Sequence, residues 1–165
     1  MKPSSDIVCW DSCVFINYIT ARDDPPGSVS NTETYVKLID AGKLTLIAST
    51  IVRIEVLDVI LSADERKKFK SFLDGGRALE AEVDPAISEL AGELRGYYAK
   101  RRGLTLSTPD SIHLATAIHY EAAEFNTYDK NDSKGSLGLL PLSGSVAGHK
   151  LTIRRPEPGG PLFEI

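Results

Sequence analysis

Four acidic residues stand at positions from which they could act together on one substrate. Asp11 directly follows a short apolar run, and Asp129 follows the last segment with a clear strand pattern. Glu55 and Asp110 lie in the first turns of two segments with helical sequence patterns. In an open parallel sheet the carboxyl ends of the strands meet at one edge, where ligands bind. Because each acid belongs to a different strand–helix unit, this topology would direct all four to that edge.

Carboxylates held together need a counter-charge. Two unit charges about 5 Å apart repel by roughly 3 kcal/mol at an effective dielectric of about 20. Mg²⁺ and Mn²⁺ prefer oxygen ligands, and such ions activate a water and stabilise the charge on a transferring phosphoryl group. Taken singly, each acid is more simply a helix cap or a solvated side chain. Asp11 and Asp129 end apolar strands where no cap is needed, so the four together favour a divalent-metal site.

The elements that must position these acids alternate between strands and helices. Strands are predicted at residues 7–10, 44–48 and 124–127, with weaker candidates at 77–83 and 150–153. Helices are predicted at residues 14–20, 30–39, 50–61, 66–73, 85–100 and 110–122. Four helix starts carry capping signals, namely the boxes Ser30–Glu33 and Ser62–Glu65 and the proline-containing starts Asp84-Pro85 and Thr108-Pro109. This alternation predicts one α/β domain with a mainly parallel central sheet and helices on both faces.

The composition is that of an ordinary globular domain. The 165 residues are 42% hydrophobic and 25% charged, and the net charge of −4 excludes a protein that coats nucleic acid through bulk positive charge. Cys9 and Cys13 have no further cysteines with which to build a zinc or disulfide framework, so we expect reduced thiols. No apolar run approaches the ~20 residues of a membrane span, and no targeting peptide is recognisable. We therefore expect a cytoplasmic protein without a membrane partner.

Four motifs carry a resemblance to a known family. They are an Asp followed by a small hydroxyl residue in IVCWDSCVFINYI, a Ser and a Glu six residues apart in ASTIVRIEVLDVI, an Asp in the Ala-containing helix TPDSIHLATAI, and a Thr-x-Asp segment in FNTYDKND. In order and spacing, residues 6–132 resemble the PIN-domain nucleases, and within them the VapC-type toxins of toxin–antitoxin pairs. The resemblance implies a single PIN-like domain over residues 1–165, with an acidic-site core at 6–132 and a Gly/Pro-rich segment at 133–165 packed on it.

The resemblance also implies an activity and roles for individual residues. It implies an endoribonuclease dependent on Mg²⁺ or Mn²⁺, in which the metal is bound by Asp11, Asp110 and Asp129, and by Glu55 directly or through water. Supporting roles would fall to Ser12 and Thr127, which orient the carboxylates, and to Ser49 and Asp132. The partners implied are an RNA substrate, a cognate antitoxin and a second copy of the chain in a homodimer.

The chain departs from the family pattern at Cys13 and around Asp132, where many members have a further acid or a neighbouring Phe. The family often has Asn two residues after the first Asp, where this chain has Cys13. We therefore expect a polar contact beside the metal site to be missing. The same Cys13 counts against a phosphotransferase with an aspartate nucleophile, since such sites commonly place a second Asp there. A stand-alone PIN RNase of RNA processing and a catalytically silent PIN-fold binding module remain as alternatives to the toxin.

Several other residues have a structural and a functional interpretation. His113, three residues after Asp110, is more simply a packed histidine than a proton shuttle. The basic runs at 66–70 and 100–102 are solvated helix faces by default, although either could bind RNA phosphates. The Tyr97-Tyr98 pair could stack on bases, but core or dimer packing is the simpler expectation.

Overall fold

The computed structural model describes residues 6–130, 132 and 135–163. Five strands form one sheet in the order β3-β2-β1-β4-β5, and every neighbouring pair is parallel. The strands are β1 (Ile7–Trp10), β2 (Thr45–Ser49), β3 (Ala78–Ala81), β4 (Glu124–Asn126) and β5 (Thr152–Arg154). All five predicted strands are present, and the predicted mainly parallel sheet is confirmed.

Helices cover both faces of the sheet, as predicted. They are α1 (Ser12–Thr20), α2 (Ser28–Asp40), α3 (Val52–Asp58), α4 (Ala63–Asp74), α5 (Pro85–Arg102) and α6 (Thr108–His119). Because side chains alternate along each strand, Val8 and Trp10 join the core formed with α1 to α4, whereas Cys9 joins the core formed with α5 and α6. The central strand β1, which Asp11 directly follows, is therefore packed between the two cores.

The helix starts show where local sequence signals succeed and fail. The Ser62–Glu65 capping box is formed, with both reciprocal hydrogen bonds in place. The predicted Ser30–Glu33 box is wrong, because α2 begins at Ser28 and its first N–H groups donate instead to the upstream carboxylate of Asp23. A carboxylate from the preceding loop thus replaces the side-chain cap that the local pattern indicated.

Several other helix boundaries differ from the prediction, and one of them concerns the site. The helix α3 ends at Asp58 rather than Leu61, since Val59 is extended. The cap of α6 is Ser107 rather than Thr108, so Pro109 lies one position further into the helix than predicted. This shift matters because Ser107 contacts Asp110.

The C-terminal segment contributes to the sheet and to a core. Its strand β5 pairs with β4, and its Phe163 ring packs edge-on against Tyr35 with centroids 5.0 Å apart. In the part of the chain that the structure describes, no helix is both long and apolar enough to cross a membrane.

Candidate active site

Asp11 lies directly after β1, at the carboxyl edge of the sheet. Its side chain is 5% exposed. One carboxylate oxygen accepts from the Ser12 N–H at 2.7 Å and lies 3.4 Å from the Ser12 hydroxyl. The other accepts from the Thr127 hydroxyl at 2.7 Å. The expectation that Asp11 serves no cap is wrong: it is the N-cap of α1. Its second oxygen is held by Thr127, the residue that directly follows β4.

Thr127 connects Asp11 to Asp129. Its buried hydroxyl donates to Asp11 and accepts from the backbone N–H of Asp129 at 3.1 Å. The carbonyl of Asp129 in turn accepts from the N–H groups of Leu139 and Leu140, at 3.1 and 2.9 Å. The Thr-x-Asp motif therefore positions two acids with one hydroxyl group.

Asp110 is held by the cap of its own helix. The Ser107 hydroxyl accepts from the Asp110 N–H at 3.1 Å and lies 2.6 Å from the Asp110 carboxylate, to which it donates. Burial raises the pKa of Asp110 to about 6, and the charges of Asp11 and Asp129 add to this effect, against the lowering influence of Ser107. Asp11, Asp110 and Asp129 come from three different elements, yet they share one electrostatic environment.

Glu55 is held by a residue to which the sequence assigned a structural role. Its carboxylate oxygen Oε2 lies 2.5 Å from His113 Nε2, which is buried on α6 one turn after Asp110. Burial opposes the charged imidazolium, but the hydrogen bond to Glu55 and the nearby carboxylates raise the pKa of His113 above its ordinary value. The spacing of three residues from Asp110 is the signal that could have assigned His113 to the site.

Cys13 supplies a contact that we expected to be missing. Its sulfur donates to Asp11 at 3.5 Å, lies 3.6 Å from the Thr127 hydroxyl and accepts from the Tyr128 N–H at 3.4 Å. Burial, and then the charge of Asp11, raise the pKa of this thiol well above its ordinary value, so it stays protonated. A neutral thiol donor therefore occupies the place of the Asn common in the resembling family.

The two remaining supporting candidates lie in different surroundings. Ser49 ends β2 and is buried, and its hydroxyl has no hydrogen-bond partner within the described residues. Asp132 is half-exposed and faces Arg102 at 3.4 Å, while its other oxygen accepts from the Gly138 N–H at 2.8 Å. Asp132 thus fastens the loop that follows Asp129 to the end of α5.

The donor set fits a hard divalent cation in its chemistry. The acids offer carboxylate oxygens, the ligands that Mg²⁺ and Mn²⁺ prefer. The charges of Asp11 and Asp129 add to the burial that raises the pKa of Asp110, and a cation would relieve this repulsion. As they stand, no three His, Cys, Asp or Glu side chains of the described ranges converge closely enough to hold a metal ion. Binding would therefore require these carboxylates to move closer together.

Comparison with known proteins decides the family. The family model of the PIN domain matches residues 8–134, a region that contains all four acids. The chain belongs to the PIN domain family. PIN domains are nucleases, and they generally use divalent metal ions. No curated protein matches the sequence at a significant level.

Two solved structures share the PIN fold of this chain. The VapBC2 structure from Rickettsia felis, bound to a DNA fragment from their promoter, is 22% identical with a TM-score of 0.55 and covers 73% of this chain and 86% of its own. The FitAcB structure from Neisseria gonorrhoeae is 17% identical with a TM-score of 0.56 and covers 90% of this chain and 97% of its own. At these identities the likeness establishes a common fold.

Proposed function

We propose that this PIN-domain protein is an endoribonuclease that cleaves RNA phosphodiester bonds with the help of Mg²⁺ or Mn²⁺. The observation that carries the proposal is the convergence of Asp11, Asp110 and Asp129, three buried or half-buried acids from three parts of the chain, with the charges of Asp11 and Asp129 acting on Asp110. Clustered acids of this kind cost stability unless a cation neutralises them.

The residues of the site would divide the work between binding and positioning. Asp11, Asp110 and Asp129 would hold the cation, which supplies an activated water and neutralises charge on the phosphate. Thr127 and Ser12 fix the two oxygens of Asp11, and Ser107 fixes Asp110. These second contacts orient the ligands before the substrate arrives.

Glu55 would act beside the three aspartates, directly on the cation or through a water. His113 engages only one of its oxygens, and the described residues offer no hydrogen bond to the other. That oxygen is free to orient the attacking water or accept its proton. The side chain of Glu55 is 23% exposed, so water can reach it.

We further propose that the chain is the toxin of a toxin–antitoxin pair. The fold likeness to the VapBC2 and FitAcB complexes supports this role. In its metal-free form the acidic site would suit a basic segment of a cognate antitoxin, and a homodimer is the expected form of the toxin. A stand-alone RNase is the alternative, and a neighbouring gene for a short DNA-binding protein that inhibits this chain would exclude it.

The activity is tested by RNA cleavage with and without metal. Purified protein should cleave single-stranded RNA with Mg²⁺ or Mn²⁺ and lose the activity in EDTA. Asp11→Asn should abolish cleavage, whereas the matched control Asp64→Asn, an exposed acid in the first turn of α4, should retain it. Cleavage that persists in EDTA, or in the Asp11→Asn variant, would contradict the proposal. A silent binding module would show neither cleavage nor saturable Mn²⁺ binding.

A further inference from the structure

A groove along the exposed side of α5 combines cations with an aromatic ring. Its volume is about 650 Å³, and its lining residues are Gly92, Glu93, Gly96, Tyr97, Lys100 and Arg101. The guanidinium of Arg101 lies over the Tyr97 ring, 4.3 Å from its centroid. The two glycines face open space, since a Cβ atom added at either position would meet no atom within 4 Å.

The two adjacent tyrosines have different roles. Tyr98 is 4% exposed and its hydroxyl accepts from the Ala147 N–H at 3.0 Å, so it belongs to the core that holds the C-terminal segment. Tyr97 is half-buried and lines the groove instead. Only Tyr97 can therefore offer a ring face or edge to a ligand in the groove.

The groove is connected to the acidic site through the end of α5. Arg102, the last residue of α5, faces Asp132 at 3.4 Å. Asp132 is three residues from Asp129, a separation that the chain spans in at most about 11 Å. The loop is fastened here a second time, because Leu137 donates to the carbonyl of Thr105 at 3.1 Å.

In the other basic run, one cation contacts a neighbouring helix. Lys68, in the middle of the run at 66–70, donates to the carbonyl of Tyr18 at 3.0 Å and lies over that ring, 4.3 Å from its centroid. Its ammonium group is thus used to pack α4 against α1. Lys100 and Arg101 are exposed and line an open groove.

We propose that the α5 groove binds the single-stranded RNA substrate beside the cleavage site, with Lys100 and Arg101 on its phosphates and Tyr97 against a base. This inference rests on the proposed ribonuclease function. Cations in the last turn of a helix also complement the helix dipole, so their position alone does not indicate a ligand. The groove, the aromatic ring and the connection to the segment after Asp129 are the features that favour a polyanion with stackable bases. Stacking on aromatic rings beside a cationic track is the usual way that proteins hold single strands.

The proposal is tested by fluorescence anisotropy with a short fluorescein-labelled single-stranded RNA. All proteins carry Asp11→Asn and are measured with Mg²⁺, so that the RNA stays intact. Adding Lys100→Ala and Arg101→Ala should weaken binding and reduce the slope of log affinity against log salt by about 1.4, since each phosphate contact contributes about 0.7. Tyr97→Leu should weaken binding on the order of tenfold. The matched control, Lys67→Ala with Lys70→Ala, removes the same charge from α4 and should leave the affinity unchanged.

Other outcomes overturn the inference. Equal weakening by the α5 and α4 variants would indicate a general charge effect, and no weakening by the α5 variants would remove the groove from the binding surface. A change from dimer to monomer in the α5 variants with unaltered RNA affinity would identify the groove as an interface between two copies. Circular dichroism melts verify that each variant is folded. If the wild type cleaves RNA but the groove variants bind it normally, the inference fails alone; absence of metal-dependent cleavage by the wild type refutes the proposed function instead.

Discussion

Two carboxylates are buried near opposite ends of neighbouring strands, and the protein neutralises them differently. Glu124, the first residue of β4, is 2% exposed and accepts from the Tyr35 hydroxyl at 2.8 Å, the Asn126 amide at 3.3 Å and the Arg154 guanidinium at 3.4 Å. Asp11, just beyond the end of β1, accepts from hydroxyl, thiol and backbone donors.

The comparison distinguishes Glu124, an acid with a structural role, from Asp11 and Asp110, which are the candidates for binding a ligand. Glu124 has its counter-charge within the fold, so it needs nothing from outside. Asp11 and Asp110 have no lysine or arginine partner among the described residues. The basic side chain beside the site is His113, which pairs with Glu55 and is positively charged only when it is protonated. Burial with incomplete neutralisation, rather than burial alone, marks the candidate active site.

The largest effect is expected from removing one charge at the acidic edge. Asp110→Asn should reduce RNA cleavage on the order of 10³-fold, because it removes a ligand of the proposed cation and its effect on transition-state charge. The rate is measured with fluorogenic RNA at saturating Mg²⁺. Glu124→Gln is the internal comparison and should retain cleavage by the folded protein, and a comparable loss in both variants would erase the distinction between the two acids.

For stability, the larger loss is expected from the substitution of Glu124 and not from that of Asp110. Glu124→Gln leaves Arg154 without its buried partner, so the free energy of unfolding should fall by about 2–4 kcal/mol. Urea denaturation in EDTA measures this change. Glu89→Gln, an exposed acid on α5, should stay within about 0.5 kcal/mol of the wild type. A fall of the same size in Glu89→Gln would show that the effect is one of net charge.

The free energy of unfolding of the metal-free protein should depend on pH because the charge of Asp110 is not neutralised. The pKa of Asp110 is raised in the folded state to about 6, from an ordinary value of 3.8. A raised carboxyl pKa contributes stability that is complete below pH 4 and is lost as the pH rises to about 6. Asp110→Asn lacks this loss, so in EDTA it should be the more stable protein at pH 7, by roughly 2–3 kcal/mol.

Melting temperatures of the two proteins in EDTA, measured at a series of pH values, check this prediction. Their difference should develop between pH 4 and pH 6 and stay constant above that range. A difference that is the same at pH 4 and pH 7 would show that the side chain, and not its charge, determines the stability.

A smaller effect is expected at the pair of Glu55 and His113. His113→Leu removes the donor that positions Glu55 and should reduce cleavage about 10- to 100-fold, the usual cost of losing a contact behind a metal ligand. His113→Gln retains an N–H donor and should recover part of the activity. The Mn²⁺ affinity of both variants, measured alongside, should follow the same order. Equal losses in both variants would assign His113 to packing alone.

The sequence was sufficient to predict where strands end, but not which side chains contact one another at those ends. An apolar run followed by an acid predicted where β1 ends, and with it the position of Asp11. The strand predicted at 124–127 overlaps β4, which ends at Asn126 ahead of Asp129. The pairing of Glu55 with His113 joins residues 58 positions apart. No local pattern specifies such a contact, because it depends on how α3 and α6 approach each other.

The burial of Glu124 could not be predicted from local sequence for the same reason. Glu124 begins a predicted strand, where a charged residue ordinarily faces water. Its burial depends on Tyr35 from α2 and Arg154 from β5, which the fold brings beside it. The cap of α2 was missed for a related reason, since Asp23 reaches it from the preceding loop. Local spacing predicts which elements form, whereas counter-charges are supplied by the packing between elements.

Calorimetric titration of the metal-free protein with Mn²⁺ tests the central claim most directly. If the acidic edge takes its counter-charge from a divalent cation, the wild type and Glu124→Gln should bind Mn²⁺ saturably, and Asp11→Asn and Asp110→Asn should not. The folded state of each protein is verified by circular dichroism in the same buffer. Absence of saturable binding in the wild type, or unchanged binding in the two aspartate variants, would contradict the account.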